Sequence, residues 1–248
     1  MKKVVWLSAN KFGCELLKET IKIVDIEAII TLKSGSSTVM YDSIPNEKWK
    51  EFGIDIYEIE RINDEKDLIR RLSPDIVVMC GWRQIIDDEI LNLPKEHFVG
   101  FHPTLLPKGR GPSPIINSIM EGYKESGLTF FHVSPGLDDG DIIGQEKFLI
   151  ENNDHASDVY EKVIDVGKKL VRKYLPMLID GTAPRTKQDE SKATVFNKRT
   201  LKDNEIDLNN KSTEQIYRKI RALSKPYNGA YIKKDGKRII IWRAEIKE

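Results

Sequence analysis

Ile76-Val77-Val78-Met79-Cys80, followed by Gly81-Trp82, is the stretch that decides the fold. Five consecutive apolar residues without polar alternation fit a strand buried on both faces, as in a parallel sheet covered by helices. Upstream, Val4–Leu7 reads as a strand, residues 13–23 as a helix, Ile26–Leu32 as a second strand and residues 33–37 as a loop. Residues 54–59 fit a third strand and residues 63–72 a charged amphipathic helix. Downstream, residues 87–93 suit a short helix and residues 98–101 another strand. This β-α-β-α order predicts an α/β fold, a doubly wound and mostly parallel sheet with helices on both faces.

Beyond residue 126 the pattern changes. Residues 127–133 and 141–150 are strand-like runs joined by a turn-rich loop, Ser134-Pro135-Gly136-Leu137-Asp138-Asp139-Gly140, and they extend the sheet in antiparallel fashion. Val159, Val163, Val166, Leu170, Tyr174 and Leu178 then recur at helical spacing, and Gly181-Thr182-Ala183-Pro184 ends that helix. From about Thr194 the chain becomes basic and polar, with Ile216, Ile220 and Leu223 on one face of a short helix. A hairpin with an Asp235-Gly236 turn closes the chain. A boundary near residue 190 divides a main domain, residues 1–190, from a small helix-and-hairpin extension, residues 191–248.

With 40% hydrophobic residues, 248 residues suffice for one large core and a small appendage. No run of eighteen apolar residues occurs, so no membrane partner is expected. Val4–Leu7 is too short for a signal peptide, and Ser8-Ala9-Asn10-Lys11 interrupts it. Cys14 and Cys80 are isolated, without metal-ligand spacing, which suits buried thiols in a reducing cytoplasm and implies no metal. The net charge of +1 hides an asymmetry: residues 198–248 carry about +7 and the remainder about −6. A basic tail of this kind can meet phosphate groups or be a solvated surface.

In open α/β sheets, ligands bind beyond the carboxyl ends of the strands. Three loops should converge there: residues 82–86, 102–111 and 136–141. The second and third hold the acid/base candidates His102 and Asp138. His102 leaves a strand and precedes Pro103, which restricts the backbone. Residues 105–111 form an apolar, glycine-containing turn able to wall a flat ligand. A His–Asp pair in a loop cleft suits proton transfer, yet a structural histidine and an ordinary Asp-Asp-Gly-Asp turn fit the same residues.

The wider pattern decides between them. His102-Pro103-Thr104-Leu105-Leu106-Pro107, Arg110-Gly111-Pro112-Ser113-Pro114-Ile115, Gly127-Leu128-Thr129 and Gly136-Leu137-Asp138-Asp139-Gly140-Asp141 resemble, in order and spacing, the formyltransferase family that uses N10-formyltetrahydrofolate. The resemblance covers about residues 76–150 and implies the family's doubly wound, Rossmann-like sheet. It implies that His102 stabilises or protonates the oxyanion formed when an amine attacks the formyl carbonyl. It implies that Asp138 orients His102 and takes up the amine's proton. Arg83, Gln84, Ile85 and Ile86, with Leu137, Asp138 and Asp139, match segments whose backbone recognises the pterin, and Leu105 would pack on the folate. One position departs: the family usually has asparagine two residues before the histidine, where this chain has Gly100. Losing an oxyanion donor costs about a hundredfold or more in turnover, and Gln84 or backbone amides are the candidates to compensate.

Residues 199–230 resemble the start of the C-terminal domain of tRNA and sugar formyltransferases, which glycinamide ribonucleotide formyltransferases lack. In the tRNA enzymes that domain continues into a complete β-barrel, whereas here the sequence stops soon after one hairpin. Little surface is then expected for nucleic acid. The resemblance to compact sugar N-formyltransferases implies a UDP-, dTDP- or GDP-linked deoxyamino sugar as acceptor, in surface polysaccharide (O-antigen) biosynthesis. Asn10, Lys11, Tyr41 and Asp42 are the substrate-binding candidates, Tyr41 by stacking on a base. The hairpin's exposed strands suit a homodimer or a folded-back monomeric tail. The alternatives are a methionyl-tRNA formyltransferase-like enzyme, a formyl-folate hydrolase and a non-catalytic folate- or nucleotide-sugar-binding homologue.

Overall fold

The computed structural model describes residues 2–247. Five parallel strands, β1 (Val4–Leu7), β2 (Ile26–Leu32), β3 (Ile56–Ile59), β4 (Ile76–Met79) and β5 (His97–His102), lie in the order β3-β2-β1-β4-β5. Two antiparallel strands, β6 (Glu125–His132) and β7 (Ile142–Leu149), extend the sheet beyond β5. The expected doubly wound, mostly parallel sheet is therefore present, with β4 central and almost wholly buried.

Strand alternation distributes the apolar residues between two layers. Val4, Trp6, Ile76 and Val78 face a core shared with helices α1 (Lys11–Thr20), α5 (Pro114–Met120) and α6 (Ala156–Ile179). Val5, Leu7 and Val77 face the opposite layer, with α3 (Lys66–Leu72) and α4 (Asp88–Leu91). Two short helices escape the sequence reading: α2 (Glu47–Lys50) and α5, the latter starting at Pro114 after a left-handed Ser113. α2 follows Pro45-Asn46 and α5 starts within Pro112-Ser113-Pro114, combinations that read locally as turns. No helix among the described residues is long and apolar enough to cross a membrane.

The C-terminal part docks on this framework. Helix α7 (Thr213–Leu223) packs on α5, and its Leu223 and Ala222 enter the larger core. Its start is a reciprocal cap, with Ser212 Oγ accepting from the Gln215 amide and Gln215 Oε1 accepting from the Ser212 amide. Arg221, 4% exposed, donates to the Asp154 carbonyl at the foot of α6 (2.6 Å). Strands β8 (Ala230–Lys234) and β9 (Lys237–Ile241) form the expected hairpin, with Asp235 and Gly236 both at positive φ. The boundary expected near residue 190 falls at a single 3-10 turn, Glu190–Lys192, in the otherwise irregular segment 182–200, part of which lies against residues 107–111.

At the end of β5 remote from His102, two histidines meet. The His97 and His132 rings are 5.1 Å apart and edge-on, with the Arg185–Asp141 ion pair and Lys2–Glu96 nearby. Burial pushes His132 down to about 4, helped by the positive charge of Arg185. A histidine held neutral in the fold but protonated when unfolded stabilises above its unfolded value, and that stability is lost as pH falls. The window is therefore from about 6.5 down to about 4. Replacing His132 by phenylalanine should shrink the stability lost between pH 7 and 4.5 by about 2–3 kcal/mol. Urea denaturation of parent and variant at both pH values checks this; parallel losses in the two would contradict it.

Candidate active site

His102 is the last residue of β5, and backbone pairing with Thr129 of β6 fixes its position. Its neighbour Phe101 points the other way, stacked on Phe130 at 4.4 Å, so the strand's alternation turns His102 to the opposite face. The side chain is 8% exposed. Nε2 lies 2.7 Å from the Gly109 carbonyl, and since a carbonyl only accepts, Nε2 carries a proton. Nδ1 faces Asp138 Oδ2 at 3.5 Å. That is beyond a normal N–H···O bond, so the imidazole and the carboxylate face each other without a formed hydrogen bond.

Asp138 sits in the loop between β6 and β7 with φ +50°, a left-handed conformation unusual for a residue with a side chain. The Gly111 amide donates to Asp138 Oδ2 (2.8 Å). Gly111 itself has φ +92°, and a Cβ there would crowd the Phe196 carbonyl, so glycine permits this close approach. The two expected catalytic residues thus come together from loops 36 residues apart in sequence.

The other expected residues separate into two groups. Arg83, Tyr41 and Asp42 converge: the Arg83 guanidinium lies over the Tyr41 ring (4.8 Å to the centroid) and 4.0 Å from Asp42 Oδ1, and Tyr227 abuts Tyr41 edge-on. One face of Tyr41 is therefore occupied by Arg83 rather than open to a base, a correction to the stacking expectation. Asp42 also accepts from the Tyr160 hydroxyl, and burial with that negative charge raises the Tyr160 phenol far above its usual range. Asn10 and Lys11 are consumed internally. Asn10, 3% exposed, caps α1 by accepting from the Gly13 amide and donates to the Gly81 carbonyl, so it is buried in the scaffold rather than presented to a substrate. Lys11 is paired with Glu161.

Gln84 is likewise spent. Its Oε1 accepts from the Ile62 amide (2.9 Å), and Nε2 donates to Thr38 Oγ1 and the Glu60 carbonyl. Gln84 therefore does not replace the missing asparagine amide. Ile85 is 87% exposed, whereas Ile86 packs against the smaller core. Leu105 rests against Gly127, Leu137 projects half-exposed, and the Asp139 carboxylate folds back to Ser134.

The structure also shows what fills the place of that amide. A Cβ on Gly100 would lie 3.0 Å from the Met79 methyl and 3.1 Å from a Val133 methyl. The Met79 side chain and Val133 thus occupy the space beside the strand that a longer residue would claim. Gly100→Asn should destabilise the protein by about 1–2 kcal/mol, and shortening Met79 in the same chain should recover most of that loss. Denaturation of the two single variants and the double variant provides the check; simple additivity would refute the crowding.

Sequence reasoning missed Arg110, Gln188, Glu190 and Thr194. Arg110 is motif-bound, but the other three lie in the irregular segment after α6 and reach the site only through folding. Arg110 pairs with Glu190 (2.6 Å), Thr194 Oγ1 accepts from the Gly109 amide (2.8 Å), and Phe196 N–H donates to the Arg110 carbonyl (2.8 Å). Beyond Gly111, a recess at the seam with the C-terminal part is lined by Ser113, Ile116, Tyr41, Tyr227, Arg199 and Asn204 among others. Burial lowers the Arg199 guanidinium's affinity for its proton, and its Nε has no hydrogen-bond partner.

Comparison with known proteins agrees with this geometry. Residues 7–175 match the formyl transferase family and residues 198–248 the formyl transferase C-terminal domain. A methionyl-tRNA formyltransferase of Lactobacillus gasseri is 32% identical over 251 residues, covering 99% of this chain and 79% of that one. Among solved structures, a 4-N formyltransferase from Francisella tularensis has TM-score 0.78 at 23% identity, covering 100% of this chain and 98% of that one. The Helicobacter canadensis N-formyltransferase, in complex with folinic acid and dTDP-3-aminofucose, has TM-score 0.71 at 23% identity, with coverages of 97% and 87%. With a family match over two-thirds of its length and a 32% identical relative covered over 79% of that protein, the chain belongs to the formyl transferase family.

Proposed function

We propose that this formyltransferase moves the formyl group of N10-formyltetrahydrofolate to the amine of a nucleotide-linked deoxyamino sugar, in the assembly of surface polysaccharide. The observation that carries the reading is the His102–Asp138 pair, together with a recess lined by Tyr41, Tyr227 and Arg199. The amine nitrogen attacks the formyl carbon, the carbonyl oxygen gains negative charge, and the bond from carbon to N10 then breaks. By exchanging the Gly109 carbonyl for the oxyanion, the His102 Nε2–H can stabilise that charge while the Asp138 carboxylate faces Nδ1. Asp138 receives the proton lost by the amine, and N10 takes up a proton as it leaves.

The seam recess supports a compact acceptor. Arg199, half-buried with its Nε unpartnered, suits a diphosphate, and Tyr41 and Tyr227 offer aromatic edges to a nucleoside. The folinic acid and dTDP-3-aminofucose bound to the Helicobacter canadensis structure support the same pair of ligands. The exposed Ile239 and Ile240 of β9 support a homodimer through the hairpin.

A second reading, formylation of methionyl-tRNA, is favoured by the 32% identity to the Lactobacillus gasseri enzyme. Incubation with formyltetrahydrofolate and a panel of UDP-, dTDP- and GDP-linked amino sugars, with charged initiator tRNA in parallel, separates the two. Formylation of a sugar is expected. Product on tRNA alone would overturn the sugar reading, and folate binding without transfer to any amine would leave only a binding protein.

A further inference from the structure

We propose that Gln188 is a positioning residue for formyl transfer, the side chain that locks the two loops carrying His102 and Asp138 into one frame. Its amide is fully used. Nε2 donates to the carbonyls of Asp138 and Gly140, both at 2.8 Å. Oε1 accepts from Arg110 Nε (3.1 Å) and Nη2 (2.8 Å). The amide orientation is dictated by these partners, because reversing it would set oxygen against two carbonyls and NH2 against guanidinium donors.

The bonds fall where the catalytic geometry is set. Arg110 lies between Gly109, whose carbonyl binds His102, and Gly111, whose amide binds Asp138. On the other loop, Asp138 holds a left-handed φ of +50°, which costs a residue with a side chain about 1–2 kcal/mol and persists only if its surroundings enforce it. Gln188 grips the carbonyl of that residue. Arg110, 8% exposed, is anchored a second time by Glu190, so the guanidinium cannot swing away with its loop. Gln188 reaches no reacting atom; it acts through where it holds Asp138 relative to His102, and the 3.5 Å gap between them has little slack to lose.

Glutamate at this position keeps the acceptors for Arg110 but cannot donate to the two carbonyls, and methionine of similar length keeps neither. Gln188→Glu and Gln188→Met should each lower kcat about tenfold to a hundredfold, with KM for N10-formyltetrahydrofolate within about threefold of the parent. The acceptor is the one identified by the panel above. In ¹⁵N-histidine-labelled protein without any acceptor, the His102 imidazole resonances should shift in both variants while those of His155, at the start of α6, stay in place. The inference rests on the His102–Asp138 reading and not on which amine is formylated, so the spectroscopic arm decides it even if every sugar fails. Parent-like kcat in both variants, or unmoved His102 resonances, would overturn it. Failure of both variants to fold would also overturn it, by making Gln188 a structural residue only.

Discussion

Asp138→Asn is expected to lower kcat by about a hundredfold to ten-thousandfold, the range of a lost general acid or base, while the protein folds normally. Asparagine keeps an oxygen to accept from the Gly111 amide, so the left-handed loop retains its anchor. What disappears is the charge facing His102 Nδ1 and, in the proposed mechanism, the base for the amine's proton. His102→Ala should fall in the same range. It removes the donor that Nε2 provides and releases the Gly109 carbonyl. Because the two act as a unit, the double variant should be little slower than the slower single variant. Single-turnover measurements with saturating formyl donor, alongside circular dichroism, check all three. Near-normal rates in either single variant would remove the pair from the mechanism, and fully additive losses would show that the two act independently.

Gly140→Ala is expected to have the second largest effect, for a reason unrelated to charge. A Cβ at this position would sit 1.8 Å from the His132 carbonyl oxygen and 3.2 Å from Ser134 Oγ. The first neighbour is backbone at the end of β6, so no side-chain rotation relieves the clash; the loop must move. That loop carries Asp138, and the Gly140 carbonyl is one of the two groups gripped by Gln188. Stability should fall by about 3 kcal/mol, and turnover by about a hundredfold as Asp138 is carried away from His102. Thermal melting and kcat on the same preparation test this. Gly35→Ala provides the contrast: unlike Gly140 it has positive φ (+78°), but nothing lies within 4 Å of its would-be Cβ. It should lose about 1 kcal/mol or so from backbone strain and leave turnover unchanged. Equal effects at the two glycines would mean that the clash with His132 is not the cause.

These two expectations differ in what reveals them. His102 and Asp138 were visible in the sequence because each lies in a motif, and motifs survive translation into a list of residues. Gly140 was visible as part of a turn, but only the fold shows the carbonyl of His132 against it. Gln188 carried no signal at all: it lies between the end of a helix and a basic segment, in no motif and with no period. Its meaning comes from being brought beside Arg110, which is 78 residues away in sequence.

The sequence by itself determined the α/β class, the antiparallel extension after β5, the long α6 and the closing hairpin. Each of these rests on local periodicity or turn chemistry, which adjacent residues encode. It also determined the family and the His–Asp pair. It did not reveal α2 and α5, whose proline-bearing starts read as turns, or that Asn10 and Gln84 engage their amides with the scaffold. Hydrogen-bond partners of a buried amide are distant in the chain, so exposure and occupancy are settled only when the chain closes on itself. The tertiary structure alone decided how Gly100 is accommodated, with Met79 and Val133 filling the neighbouring space, and which segment braces the catalytic loops. Both are outcomes of packing between elements, where a residue's role depends on neighbours that its own sequence context does not specify.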